Sequence, residues 1–305
     1  MNADKYSRTI PRELVHKRCI AEVLVTSLKT APRNWTFGAQ LPRQHSFHSD
    51  ALGEQGAYHD PLLALEAFRQ GCIAATHDFY EVPLDSRYTL RSYGLTVLDV
   101  SRLRRGLQPL DLEFGVEVRE EFRSRDGGPV RGLEITAVAT SDGLEIMEFT
   151  GAFGWLSADK WELFRAGASW DPGPQAVAAE ASLVGRRTPA NVVIGNPEQL
   201  TDGTLRAPIV VDLEHPTMFD HPLDHLPGGL ILEACRQLSL AALGTGGAGV
   251  VGPTRLHCEF SSFTEMGDAV TASVAPVDQE HRGFRALVMQ GGQNRACIDL
   301  AFAAV

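Results

Sequence analysis

The stretches PLLALEAFRQGCIAATH (61–77) and PGGLILEACRQLSLAAL (227–243) decide the fold. Each is apolar on nearly every side, and the same trio interrupts both: Glu66, Arg69 and Gln70, then Glu233, Arg236 and Gln237. The spacing i, i+3, i+4 sets the trio on one helix face. A helix apolar almost all round must be buried on most sides. Asp60-Pro61 opens the first helix as an N-cap acid followed by a proline at the first helical position.

Working outward, the two halves of the chain repeat. VHKRCIAEVLV (15–25) lies over VGRRTPANVVI (184–194) with offset 169, aligning Val15 with Val184, Arg18 with Arg187 and Val23 with Val192. LPRQH ending at His45 lies over DLEH ending at His215, and LEAFRQ (65–70) over LEACRQ (232–237). Each helix is followed by alternating segments rich in Val, Ile, Thr and aromatics, such as LDLEFGVEVREEF (110–122) and GFRALVMQG (283–291). RDGG (125–128) and SDG (141–143) are turn signals. One buried helix followed by antiparallel strands is an α+β arrangement, solved by curving the sheet around the helix. The expected fold is therefore a double hotdog: a first unit over 1–156, a Pro-, Gly- and Ala-rich linker over 157–183 that includes SWDPGPQAVAAEAS, and a second unit over 184–305.

Composition narrows the function classes. The net charge is −10, from 28 basic and 38 acidic residues, which argues against a nucleic-acid partner because phosphate neutralisation needs a basic face. The five scattered cysteines form no C-x-x-C pair and suit a reducing cytosol. No apolar run reaches the length of a membrane span, and the N-terminal residues lack a signal-peptide core. The expectation is a cytoplasmic protein needing no cofactor, a monomer that mimics a dimer or a true homodimer.

Candidate chemistry concentrates in FDHPLDHLPGGLILEACRQ (219–237). Asp220, His221, Asp224 and His225 could ligate a metal, but Pro222 and Pro227 break the helix that such spacing would need, so no metal is expected. They could also cap the helix and one another. The third reading is an active-site loop. Gly228 and Gly229 open the helix without side chains, so a carbonyl could approach its N–H groups, and a neutral histidine nearby could take a proton. The trio likewise has two readings. One is a structural Glu–Arg pair; the other is a carboxylate, Glu66 or Glu233, with Arg69, Arg236, Gln70 and Gln237 placed to bind an anion. Arg43 is a further candidate for holding a phosphate.

These residues carry a family likeness. HPTMFDHPLDHLPGGLILEACRQ, with VHKRCIAEVLVTS, LPRQHSFH and HDPLLALEAFRQ, resembles the A-factor synthase family, makers of γ-butyrolactone and related autoregulators in actinomycetes. The likeness spans roughly 15–305. It implies transfer of a 3-oxoacyl group from acyl carrier protein or CoA to the hydroxyl of dihydroxyacetone phosphate, the ester then closing to a phosphorylated butenolide. His221, His225, Asp220, Glu233 and Glu66 would be the acid/base residues. LPGGLILEA also resembles, more weakly, the helix start of hotdog hydroxyacyl dehydratases, where a loop His and a helix acid form the active site. His221 stands nearer to Glu233 than that pattern has it, which argues against a plain dehydratase. A hotdog dehydratase or thioesterase, or a non-catalytic module binding acyl groups or lactones, are the alternatives.

Overall fold

A computed structural model describes residues 5–124, 127–244, 246–278 and 282–304. Arg125 and Asp126 of the expected RDGG turn lie outside the described residues. The chain forms two units: Met1–Arg43 with Pro61–Ala166, and Gln44–Asp60 with Gly167–Val305.

The first unit contains β1 (Val25–Ala31), β2 (Asn34–Leu41), α1 (Pro61–Phe79), β3 (Arg87–Val97), β4 (Leu110–Arg123), β5 (Val130–Ser141), β6 (Leu144–Leu156) and α2 (Ala158–Phe164). Its strands run in the order β1-β2-β4-β5-β6-β3, each antiparallel to its neighbour. The second contains β7 (Glu198–Gln199), β8 (Leu205–Pro208), α3 (Gly228–Ala242), β9 (Val250–Phe260), β10 (Val270–Asp278), β11 (Gly283–Gln290) and β12 (Gln293–Ala304), in the order β9-β12-β11-β10-β8-β7. The chain is thus a double hotdog of α+β class.

Period-2 patterning makes the sheets one-sided. On β4, Leu112, Phe114, Val116 and Val118 are buried, while Glu113, Gly115, Glu117 and Arg119 face solvent. Phe114 stacks on Phe37 of β2 at 4.6 Å between ring centres, and Phe68 of α1 stacks on Phe149 of β6 at 5.1 Å. Burying each such ring contributes roughly 1.5–3 kcal/mol. The SDG signal is a two-residue hairpin: Asp142 and Gly143 both take positive φ, 51° and 77°, as the right-handed twist of the flanking strands requires. Among the described residues no helix is long and apolar enough to cross a membrane.

Two segments differ from expectation. The stretch read as a surface linker carries α2, and Ala179 N–H donates to the Ile194 carbonyl. Residues 44–60, expected within the first unit, belong to the second. The reason is a set of long-range bonds that anchor this loop. Arg186 Nη1 donates to the carbonyls of Phe47 (2.6 Å) and Asp50 (2.8 Å), and its guanidinium lies 4.1 Å from the Phe47 ring centre. Asp50 accepts from the Arg187 and Thr188 amides and from Asn191 Nδ2.

Candidate active site

Each helix builds the same clamp from its glutamine. In the first unit Gln70 Nε2 donates to the Glu22 carbonyl (2.8 Å), and its Oε1 accepts from Leu24 N–H (2.9 Å). In the second, Gln237 does the same with the Asn191 carbonyl (2.8 Å) and Val193 N–H (2.9 Å). Both glutamines are fully buried. Their amides are used by main chain, so the structure gives no support to the substrate contact expected of them.

The carboxylates beside them differ in setting. Glu233 Oε1 accepts from Arg186 Nη2 (2.6 Å), Arg186 Nε (3.2 Å) and Gln237 Nε2 (2.7 Å), and its Oε2 lies 2.6 Å from Arg236 Nη2. Arg236 Nη1 reaches Asp60 Oδ2 at 2.7 Å, and Asp60 accepts from His48 Nδ1 at 2.8 Å. Burial holds the His48 imidazole below its ordinary range and therefore neutral. Two arginines then balance two carboxylates in a closed network, and the Glu233 side chain is 1% exposed. In the first unit Lys17 stands where Arg186 stands in the second. Lys17 Nζ lies 3.1 Å from Glu66 Oε1, and Arg69 grips Glu66 through Nε (2.7 Å) and Nη2 (2.9 Å). Burial alone would raise the Glu66 carboxyl, but Arg69 and Lys17 outweigh it and hold it well below the usual carboxylate range. Its side chain is 23% exposed and that of Arg69 30%, against 7% for Arg236.

The histidines sort by which ring nitrogen is engaged. His45 Nδ1 accepts from the amides of Phe47 and His48, and His215 Nδ1 from those of Thr217 and Met218. Main-chain N–H groups only donate, so these two rings cap equivalent turns, one in each repeat. His225 is the reverse case: its Nδ1 lies 2.6 Å from Asp224 Oδ1. A carboxylate only accepts, so Nδ1 carries the proton and Nε2 holds the lone pair of the neutral ring. The Phe263 ring stands edge-on to His225 at 4.8 Å. His221 Nδ1 lies 3.6 Å from Asp220 Oδ2, a looser pair. Three residues beyond His225, α3 begins: Gly229 is exposed, and a Cβ there would meet nothing within 4 Å.

The structure therefore gathers Asp220, His221, Asp224, His225, Gly228 and Gly229 on one loop and helix start. It places Glu233, Arg236 and Gln237 deeper in that helix, and Glu66, Arg69 and Gln70 in the first unit. Arg43 belongs to neither group; its Nε donates to the Gly106 carbonyl (3.0 Å) on an exposed loop. Among the described residues no group of three or more His, Cys, Asp or Glu side chains is placed to hold a metal ion. Lys17 and Arg186 escape a motif search, yet they sit over one another in the repeat that aligns Val15 with Val184.

The solved structures bear on the fold. The structure of a putative oleoyl thioesterase from Lactobacillus plantarum superposes with a TM-score of 0.54 at 9% identity, covering 89% of this chain and 96% of that one. The likeness is one of architecture, the double hotdog. The sequence goes further: the A-factor biosynthesis hotdog domain matches residues 1–152 and again 168–299, and the chain belongs to that family. Among its relatives, the 2-oxo-3-(phosphooxy)propyl 3-oxoalkanoate synthase of Streptomyces virginiae is 31% identical over 291 residues, 94% of each chain. The enzyme of the same name from Streptomyces griseus is 32% identical over 267 residues, 84% of each chain.

Proposed function

We propose that this protein is an acyltransferase that joins a 3-oxoacyl group, carried as a thioester, to the hydroxyl of dihydroxyacetone phosphate. The product is a 2-oxo-3-(phosphooxy)propyl 3-oxoalkanoate. The observation that carries the reading is the relatives of that name, matched over nearly the whole chain.

The site supports a division of labour. The thioester carbonyl sits against the Gly228 and Gly229 amides, where the open helix start polarises it and holds the developing oxyanion. His225, its Nδ1–H bound to Asp224, takes the hydroxyl proton on Nε2. The oxygen attacks the carbonyl carbon, the C–S bond breaks, and the leaving thiolate takes the proton back from the imidazolium. His221 with Asp220 is the second candidate for that proton. Glu66 stays ionised too readily to be a good base, and Glu233 is enclosed by donors; both act by fixing the charges around them.

Mixing the pure protein with a 3-oxoacyl thioester, with and without dihydroxyacetone phosphate, tests the reading by mass spectrometry. A phosphorylated ester or butenolide should form only when both are present. Free 3-oxo acid as the sole product, or binding without turnover, would overturn it in favour of a thioesterase or a binding module.

A further inference from the structure

Residues 11–21 form a strap on α1 that is anchored at both ends. Ile10 N–H donates to the Val25 carbonyl of β1 at 3.0 Å, and Gln70 of α1 holds Glu22 and Leu24. Between these anchors consecutive side chains hold the strap down. Val15 is fully buried, His16 meets His77 of α1, and Lys17 reaches Glu66 of α1 at 3.1 Å.

His16 takes its place at a conformational cost. It caps the 3-10 turn Arg12–Val15 with φ 55°, in the left-handed region that glycine enters freely. The equivalent cap in the second repeat, after Ala181–Val184, is Gly185 at φ 73°. His77 likewise falls on Gly244, by the offset of 167 between the two helices. One repeat thus has both imidazoles and the other has neither, although both keep the glutamine clamp and the cation beside the glutamate. A histidine in a glycine conformation, placed only where a second histidine meets it, points to a role for the pair.

The pair is arranged around one proton. His77 Nδ1 lies 2.6 Å from the Val82 carbonyl and so carries a proton, which leaves Nε2 with the lone pair. His16 Nε2, 2.9 Å away, therefore donates to it. A further proton on His77 Nε2 would set two N–H groups head to head. The neighbours offer that proton one other acceptor. Thr76 Oγ1 donates to the Ile73 carbonyl, so the Tyr88 hydroxyl of β3 donates to Thr76, and the phenol oxygen stands 3.4 Å from His77 Nε2. The carboxylates of these elements have cations or hydroxyls of their own: Glu13 has Arg12 at 3.3 Å, Glu66 has Lys17 and Arg69, and Asp78 has Thr30 at 2.5 Å. The strap itself adds positive charge through Arg12, Lys17 and Arg18.

We propose that His16 and His77 are a proton-operated latch: one shared proton holds the strap on α1, and a second releases His16, draws Lys17 off Glu66 and opens the polar stripe of α1 to solvent. His77 keeps its new proton by turning it toward the Tyr88 oxygen. Burial sets His77 below the ordinary imidazole value of 6.5, so the latch is shut at neutral pH and opens on acidification past that value.

A nitroxide label on Cys19, an exposed thiol three residues beyond His16, reads strap motion by electron paramagnetic resonance. A Cys297→Ser background keeps the half-buried thiol from competing for the label. Between pH 8 and pH 6 a mobile component should appear, its ratio to the immobile one rising by up to about tenfold per pH unit, the limit for a one-proton latch. His77→Gln and His16→Gly should each abolish the response; the second gives this repeat the residue found in the other. Nitrogen-15 spectra of the imidazoles follow the protons, and both rings should gain imidazolium signal as the label loosens. The proposal falls if the label stays immobile while both rings charge, if neither ring gains a proton by pH 6, or if both variants respond as the native protein does. Circular dichroism at pH 6 separates a lifted strap from unfolding: helical signal lost in step with the label would overturn the latch as well.

Discussion

Glu66 and Glu233 stand at equivalent positions on their helices, and their surroundings set different costs for losing the charge. Glu233→Gln would leave Arg186 and Arg236 buried with one carboxylate fewer, and breaking a buried ion pair from one side costs about 3–5 kcal/mol. Glu66→Gln acts on a partly exposed pair and should cost about 1 kcal/mol or less. Urea unfolding of both variants checks this, and equal losses would refute the distinction. The histidines separate in another way. His225→Asn or Asp224→Asn should lower kcat by about 10²–10⁴-fold with little loss of stability, the scale of a general base. His45→Asn removes the acceptor for the buried Phe47 amide and the part-buried His48 amide and should lower stability instead. If His225→Asn keeps full turnover while His221→Asn does not, the base is His221. The trio was legible as a one-faced stripe because helical spacing alone places it. The ring nitrogen each histidine commits was not, since that depends on which donor or acceptor the loop turns toward it.

At the scale of the element, α1 approaches β2 more closely than an ordinary helix could. A Cβ on Gly71 would fall 2.3–2.5 Å from three atoms of the Phe37 ring, and that ring is stacked on Phe114. Helix propensity alone makes Gly→Ala favourable by about 1 kcal/mol. Overpacking against a ring with nowhere to go costs about 1–3 kcal/mol and should reverse the sign. Gly71→Ala is thus expected to lower the unfolding midpoint, while Phe37→Leu in the same chain should recover part of the loss. A stabilised Gly71→Ala protein would show that the two elements stand further apart than described. Both long helices could be read from the sequence because apolar periodicity, Asp60-Pro61 and Pro227 mark their extents, and the I′ turn at Asp142-Gly143 announced its hairpin. The unit to which residues 44–60 belong was not readable. It is fixed by Arg186 bonding to the carbonyls of Phe47 and Asp50, groups every residue possesses and no motif displays.

Over the whole molecule, the two repeats share their clamps but differ in how many histidines they bury, and this gives stability a defined pH dependence. Burial holds His48, His77 and His215 each below the ordinary imidazole value of 6.5. His77 is fixed through Nδ1 to the Val82 carbonyl (2.6 Å), and its Nε2 lies 2.9 Å from that of His16, an arrangement with room for one proton between the two rings. In the unfolded chain all three histidines protonate near 6.5, whereas the folded chain resists until lower pH. The unfolded state therefore binds more protons in that window, and stability rises with pH across it. The contribution is complete above about pH 7 and is lost as pH falls through 6.5 toward the depressed folded values. Glu66, held down by Arg69 and Lys17, adds a second loss only below its ordinary carboxylate value of 4.5. The sequence pI of about 5.5 limits solubility between these windows. Urea midpoints at pH 6 and above are accordingly the useful measurement. The midpoint should be flat above about pH 7 and fall below pH 6.5, and His77→Gln should shallow that fall. A midpoint rising from pH 7 to 6 would mean that these rings are charged in the folded protein, which would undo the neutral Nδ1–H assignment of His48 and the one-proton pairing of His16 with His77.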